Sequence, residues 1–257
     1  MSPMVKRLSN FINLQPAEVD AVEAACARIF TVQAGQPIPH DPINAGSIKI
    51  IVSGMACRCK YLPNGRRQII SCMVPGDLCD TRIRTSRNGD QILQALSRVE
   101  YAAIPAPAFL RLCNDHPRIR DAVRWLAYIE EATLREWLVS LGQRTAIERL
   151  AHLLCELYLR LEAVKLVENN VCDLPLTQLE LADALGLSPV HINRTLQDLR
   201  AMQFIKLAAG RLTMMDFTSL SNLAMFDPTY LHLPLSERAE NAQPSAQWER
   251  SPRADLH

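Results

Sequence analysis

Residues 174–199 read LPLTQLELADALGLSPVHINRTLQDL, and the order in this stretch decides the fold. Apolar residues recur at helical spacing, stop once at Gly186-Leu187-Ser188-Pro189, and resume. Thr177 suits a helix N-cap, and Glu180 three residues later completes a capping box. Leu181, Ala182 and Leu185 then form an inward face, with small Ala182 letting a second helix approach closely. Gly186 supplies the left-handed backbone that ends a helix without a Cβ clash. Ser188 and Pro189 restart the chain as N-cap and first helical residue of a helix over 188–202. Ile192, Leu196 and Leu199 bury that helix, which leaves Val190, His191, Asn193, Arg194 and Gln197 exposed toward its N-terminal half.

A surface that needs only solubility carries Lys and Glu, whereas this one carries Val, Asn, Arg and Gln. The pattern predicts a helix-turn-helix whose second helix enters the major groove of double-stranded DNA. Arg194 suits a bidentate pair with guanine O6 and N7, a contact of about 1–3 kcal/mol of discrimination. Asn193 suits adenine, and Val190 a thymine methyl group. Thr177, Gln178 and His191 are better placed for phosphates, which fix register without reading sequence. Ser188, Pro189 and Arg211 complete the expected DNA-contacting set. A helical pair serving protein contacts, a winged interaction module without DNA readout, is the competing reading. Residues 144–211 hold eight Lys/Arg and eight Asp/Glu, so positive charge is local: Arg194, Arg200, Lys206 and Arg211 against Asp198. Affinity is therefore expected from two half-sites engaged together, with a moderate salt dependence.

Upstream, residues 31–104 have a β texture. Glycines at 35, 46, 54, 65, 76 and 89 set turn signals every 8–13 residues. Between them lie IKIIVSG (48–54) and RQIISCMV (67–74), the spacing of a small antiparallel sandwich or barrel. Asn64-Gly65 between two such runs signals a hairpin. LQPAEVDAVEAAC reads as a short helix starting near Pro16. From Pro105 the texture turns helical: APAFLRLCNDH, then a long helix from Pro117 to about Gly142, which reads as a break. That long helix carries two apolar stripes, Ala122, Leu126, Ile129, Thr133 and Val123, Ala127, Leu134, Trp137, Leu141. Two stripes require two partners, the chain's own β domain and the same helix of a second subunit; a single buried helix in a monomer is the plainer alternative. Residues 144–164 form a further amphipathic helix, and FIKLAAGRLTMM a small hairpin turning at Ala209-Gly210.

The fold expected is α+β: an antiparallel, jelly-roll-like β-roll of sensor type over 1–116, a dimerisation helix and hinge over 117–143, and a winged helix-turn-helix over 144–226. A tail over 227–257 follows, of which 236–257 has too little apolar surface to order. At 48% apolar and 21% charged residues the chain has a water-soluble globular composition, and its net charge of +1 names no partner. No run approaches the roughly 18 apolar residues of a membrane helix. The first residues lack the apolar core of a secretory signal, so a cytoplasmic location with reduced cysteines is expected. There is no Gly-rich phosphate loop, Gly-x-Ser-x-Gly elbow or His-Glu-x-x-His, and none of the six histidines sits at metal-ligand spacing to another. An enzyme is not expected.

Over about residues 10–225 the chain resembles the Crp–Fnr family of bacterial transcription regulators. The resemblance rests on the glycine-punctuated β-roll ending in VPGDL (74–78), the long helix at 117–142, SLGQRTAIERLAHLL, and LPLTQLELADALGLSPVHINRTLQDLR. The last segment is specific, whereas the β-roll alone is a weak signal. The resemblance implies an effector domain, a dimerising helix and a winged helix-turn-helix that binds pseudo-palindromic DNA as a homodimer and recruits or blocks RNA polymerase. By family habit it implies an activator. Arg194 matches the family's guanine-reading arginine, while Val190 stands where many members carry glutamate, so a TTG-like or TGA-like half-site is expected.

Cyclic-nucleotide-binding members place Gly-Glu after the PGD-type turn and then an arginine that clamps phosphate. Here Asp80-Thr81 and Gln94-Ala95 stand near those positions, and an extra carboxylate opposes a phosphate. Cyclic AMP is not expected as a cofactor. Arg82, Arg84 and Arg87 suit another anion, or simply a solvated charged loop. An iron–sulfur cluster is not expected either, because only Cys26 precedes residue 57 where the oxygen-sensing members group their cysteines. If Asn64-Gly65 centres the hairpin, residues whose numbers sum to 129 face each other, which makes Cys57 and Cys72 neighbours with Cys59 on the same face. Such a pair suits a reducible disulfide or a soft metal, and so a redox- or metal-responsive regulator. Cysteine is equally a good small buried residue.

Overall fold

The computed structural model describes residues 1–39, 46–79 and 92–233. Two helices open the chain, α1 (Pro3–Ser9), capped by Ser2, and α2 (Pro16–Ala25). Six strands follow: β1 (Ile29–Val32), β2 (Ser47–Ser53), β3 (Ala56–Tyr61), β4 (Arg67–Met73), β5 (Ile92–Ala95) and β6 (Val99–Pro105). They pair antiparallel in two three-stranded sheets, β1-β6-β2 and β4-β3-β5. Alternation along the strands sends their side chains into three separate cores. Ile51, Val99 and Tyr101 of the first sheet meet Ala56, Met73 and Ala95 of the second. The outer face of the first sheet, with Ile48, Ile50 and Ile104, packs on α1 and on the helices after β6. The outer face of the second, with Cys57, Cys59, Ile69 and Cys72, joins the core of the C-terminal half.

The β3–β4 hairpin corrects the expected turn. Gly65 has φ +81 but Asn64 does not, and the Gly65 N–H donates to the Leu62 carbonyl. That is a three-residue loop, Pro63-Asn64-Gly65, in which Pro63 presets the first turn position and glycine takes the left-handed one. Tyr61 therefore faces Arg67, a sum of 128. A bulge at Ile70 then adds one residue to β4, so that Arg58 faces Ser71 and Cys57 faces Cys72. The expected pair is present, but two irregularities produce it instead of one symmetric turn.

The turn after β4 is built around Gly76, φ +93, where a Cβ would stand 2.7 Å from the Pro3 carbonyl oxygen and 3.0 Å from Arg7 Cβ. Glycine here lets α1 lie on the turn. Gly76→Ala is expected to cost about 1–3 kcal/mol, because backbone strain and a collision with main chain act together. Urea unfolding measures this, and an unchanged midpoint would sink the account.

Helix α3 (Ala106–Asp115) leads into α4 (Pro117–Gln143), whose 27 residues extend about 40 Å. Gly142 does not break α4. The helix runs one residue further and stops where Arg144 turns extended, before α5 (Ala146–Ala163), which Thr145 and Glu148 open with a capping box. The stripe Ala122, Leu126, Ile129, Thr133 is buried as expected. In the second stripe Trp137 turns inward and donates its Nε1–H to Glu156 on α5 at 2.9 Å. Val123, Ala127, Leu134 and Leu141 are half-buried, and Leu138, 72% exposed, faces outward beside them, with Trp125, Tyr128 and Val139 also exposed on α4.

The remaining elements are β7 (Val171–Asp173), α6 (Gln178–Leu185), α7 (Pro189–Ala201), β8 (Ile205–Ala208), β9 (Arg211–Met214), α8 (Phe217–Ala224) and a 3₁₀ turn at Pro228–Leu231. The strands form a sheet in the order β7-β9-β8, with Ala208 opposite Arg211 across Ala209 (φ +50) and Gly210 (φ +72). A two-residue loop with both φ values positive matches the twist of the strands it joins. Among the described residues no helix is long and apolar enough to cross a membrane.

Candidate nucleic-acid interface

Helix α6 begins with the reciprocal cap read from the sequence: Thr177 Oγ1 accepts from the Glu180 N–H at 3.2 Å, and Glu180 Oε2 accepts from the Thr177 N–H at 2.7 Å. It ends at Gly186, φ +64. Ser188 caps α7, its Oγ accepting from the His191 N–H at 3.2 Å, with Pro189 in the first turn. Ile192, Thr195, Leu196 and Leu199 are buried, which holds α7 against α5 and α6. The opposite side of α7 faces solvent along its N-terminal half. Val190 is 81% exposed, and Ser188, Pro189, His191, Arg194 and Gln197 are exposed beside it. The Arg194 and Gln197 side chains make no hydrogen bond or ion pair among the described residues.

Asn193 departs from the expectation. It is half-buried, and its Nδ2 donates to Gln178 Oε1 at 3.2 Å, so one amide edge is spent between the two helices. Thr177 and Gln178, both exposed, open the first turn of α6 beside α7. Arg211 starts β9 at the tip of the wing, paired loosely with Asp173 at 3.6 Å, where both side chains are largely in solvent. An open cleft of about 380 Å³ runs between the start of α6, α7 and the wing, lined by Thr177, Gln178 and Arg200 among others. No local pattern in the sequence announces this cleft. Arg200 shapes it by donating from Nη2 to the Leu207 carbonyl at 2.8 Å, which fixes the wing to α7.

A clasp missed from the sequence fixes α6 to the N-terminal half. Arg67 Nε donates to Asp183 Oδ2 at 2.7 Å, and Gln68 Nε2 to the Ala184 carbonyl at 3.3 Å. Partners 116 residues apart leave no local signal. Gln94 is engaged in the same region, accepting from Arg67 Nη1 at 2.8 Å and donating to the Gly35 carbonyl at 2.7 Å. Asp80, Thr81, Arg82, Arg84, Arg87 and the tail 236–257 lie outside the described residues.

Cys57 and Cys72 face each other inside the core shared with α5 and α6, and all eight cysteines are buried free thiols. Burial pushes the Cys72 thiol up to about 12. A hydrogen bond to Cys59 raises the Cys57 thiol and lowers that of Cys59, which Arg67 lowers further. Thiolate is the reactive form, so Cys57 and Cys72 behave as packing groups at neutral pH. Replacing both with Ser is expected to leave the response of DNA binding to peroxide and dithiothreitol unchanged. A response that depends on the pair would establish a redox switch.

Residues 148–223 match the Crp-like helix-turn-helix domain family. Among curated proteins, the chain is 29% identical over 213 residues to the nitrogen fixation regulation protein FixK of Bradyrhizobium diazoefficiens, covering 82% of this chain and 88% of that one. It is 29% identical over 182 residues to the transcriptional activator protein FnrL of Cereibacter sphaeroides, covering 70% and 73%. Among solved structures, FixK2 from Bradyrhizobium japonicum superposes with a TM-score of 0.66 at 21% identity, covering 76% of this chain and 96% of that one.

Proposed function

We propose that the chain, which matches the Crp-like helix-turn-helix domain family over residues 148–223 and is 29% identical to FixK and FnrL, is a DNA-binding transcription regulator of the Crp–Fnr family, a homodimeric activator that reads a pseudo-palindromic site with one α7 in the major groove of each half-site. The observation that carries this reading is the outward side of α7. Val190, Arg194 and Gln197 stand exposed on a helix whose other side is locked into the core. Arg194 takes guanine and Val190 a thymine methyl group. Asn193, half committed to Gln178, adds an adenine contact with its remaining amide edge. Thr177, Gln178 and His191, at the starts of α6 and α7, take phosphates, and Ser188, Pro189 and Arg211 complete the DNA-contacting set.

In this reading residues 1–116 are the sensor-type domain, 117–143 the dimerisation helix and hinge, and 144–226 the DNA-binding domain, in a cytoplasmic protein that contacts RNA polymerase and catalyses nothing. Leu138, with Ala127, Leu134 and Leu141, forms the side of α4 that meets its copy.

Selection from random DNA with the purified chain at a stated salt concentration, without added ligand, tests the proposal. The expected product is a two-fold symmetric motif with half-sites about one helical turn apart. A monopartite motif removes the dimer, and no enrichment with or without cell extract leaves an interaction module. The salt slope is expected to be moderate, since each neutralised phosphate contributes about −0.9 to it. A slope that demands a dozen or more phosphates contradicts the few cations on this face.

A further inference from the structure

A cavity of about 50 Å³ lies where four parts of the chain meet: α1, the end of β4 with the turn after it, α4 and α5. Its walls include Arg7, Ser71, Asp77, Glu130, Thr133 and Arg160. Gln94 and Ala95, which stand near the family's phosphate-clamping position, are not part of it.

The polar groups on these walls are unevenly satisfied. Arg7 is 3% exposed, yet its Nε and Nη1 find no acceptor among the described residues, and neither does the Ser71 hydroxyl. Arg7 Nη2 reaches Asp77 only at 3.5 Å. Asp77 is committed elsewhere, accepting from Arg160 at 2.5 Å and from the Val74 N–H at 2.8 Å. Glu130 is held by Arg58, and buried Glu156 by Trp137, Arg160 and Tyr230. A guanidinium out of water with idle N–H groups is unfavourable, and burial accordingly lowers the Arg7 pKa. Gly76 is what brings it there, by letting α1 settle on the turn.

We propose that this cavity binds one small oxyanion, of the size of nitrate, bicarbonate or formate, with Arg7 and Ser71 as its donors. An anion is selected because Arg7 meets its one carboxylate, Asp77, through Nη2 alone at 3.5 Å, while its Nε and Nη1 are buried donors left for further acceptors. Two donors on different edges of Arg7 and a hydroxyl call for several acceptor oxygens rather than one spherical ion. A water needs about 10–15 Å³ measured this way, so the volume suits a few heavy atoms and excludes a nucleotide.

Thermal unfolding and calorimetric titration of the full chain test this, with sodium nitrate and sodium formate against sodium chloride at equal ionic strength. The expected result is a saturable rise in Tm with the oxyanions, about 5 °C at one hundred times Kd, and none with chloride. Arg7→Met should abolish the response and Ser71→Ala should raise Kd several-fold. An equal response to chloride, a response that survives Arg7→Met, or no saturable response, which means ordered water alone, would overturn the proposal. Should Arg7→Met fail to fold, an unchanged Kd in Ser71→Ala overturns it by itself. No DNA enters the experiment, so its outcome is independent of how α7 reads a sequence.

Discussion

Arg194→Ala is expected to flatten the DNA preference at one base pair of each half-site while leaving the Tm of the protein unchanged. The side chain is exposed on α7 and has no partner in the described structure, so its removal opens no cavity and orphans no group. A bidentate arginine–guanine pair supplies about 1–3 kcal/mol of discrimination, and two half-sites double it. Specific binding should weaken by roughly 30-fold to 10⁴-fold, while nonspecific binding loses only the positive charge of one arginine per subunit. Arg194→Lys should recover part of the affinity through charge and little of the base preference, because an ammonium lacks the planar fork. Fluorescence anisotropy at fixed salt, on the selected site and on variants of one base pair, measures both. If Arg194→Ala weakens all sequences alike, the arginine is a phosphate contact and base reading on α7 falls to Val190, Asn193 and Gln197.

That prediction was reachable from the sequence because everything that positions Arg194 is local. The cap at Thr177 and Glu180, the left-handed Gly186, and Ser188-Pro189 each depend on residues three or four positions away. Local chemistry of this kind fixes where α7 starts, and the start fixes which side chains face out. The wing turn at Ala209-Gly210 was legible for the same reason. The β3–β4 loop shows the limit. Asn64-Gly65 announces a hairpin, but Pro63 ahead of it recruits a three-residue loop, and the bulge at Ile70 answers to packing across the sheet. Nothing within four residues of Ile70 specifies an extra residue in β4.

Long-range polar partners were the least legible. Trp137 reads as a member of the second apolar stripe of α4, since periodicity treats an indole as a hydrophobe. Its N–H requires an acceptor when buried, and the acceptor is a carboxylate 19 residues on, in the next helix. Asn193 reads as an exposed adenine contact, and half of its amide goes instead to Gln178, 15 residues back. The clasp of Arg67 on Asp183 and the burial of Arg7 belong to the same class. A sequence pattern gives the side on which a residue lies. Which polar group waits there depends on how distant elements are stacked.

Glu156→Leu is expected to cost about 3–5 kcal/mol of stability and to lower Tm by roughly 6–20 °C, without changing which base pairs the protein prefers. Glu156 is fully buried on α5, and one carboxylate there serves three donors. Trp137 Nε1 of α4 approaches at 2.9 Å, Arg160 Nη1 at 2.9 Å and the hydroxyl of Tyr230 at 3.0 Å. Burial alone would lower the Arg160 pKa, but Asp77 and Glu156 together raise it above its ordinary value. Leucine at 156 therefore leaves a buried cation supported by Asp77 and the Cys72 carbonyl, and strands two further donors. Adding Arg160→Met removes the stranded cation, and the double variant should recover more than half of the loss, since replacing a buried ion pair by apolar groups is often close to neutral. Recovery should stay incomplete, because Trp137 and Tyr230 remain unpaired and Asp77 loses a donor. Additive single effects, or a Tm within about 2 °C of the parent for Glu156→Leu, would show that the carboxylate is replaceable packing. The contrast with Arg194 is physical: Glu156 acts through the placement of α5 against α4, the sheet and the C-terminal turn, and α7 rides on α5. Its loss should change how much protein is folded and how tightly it holds DNA, with the preferred sequence preserved.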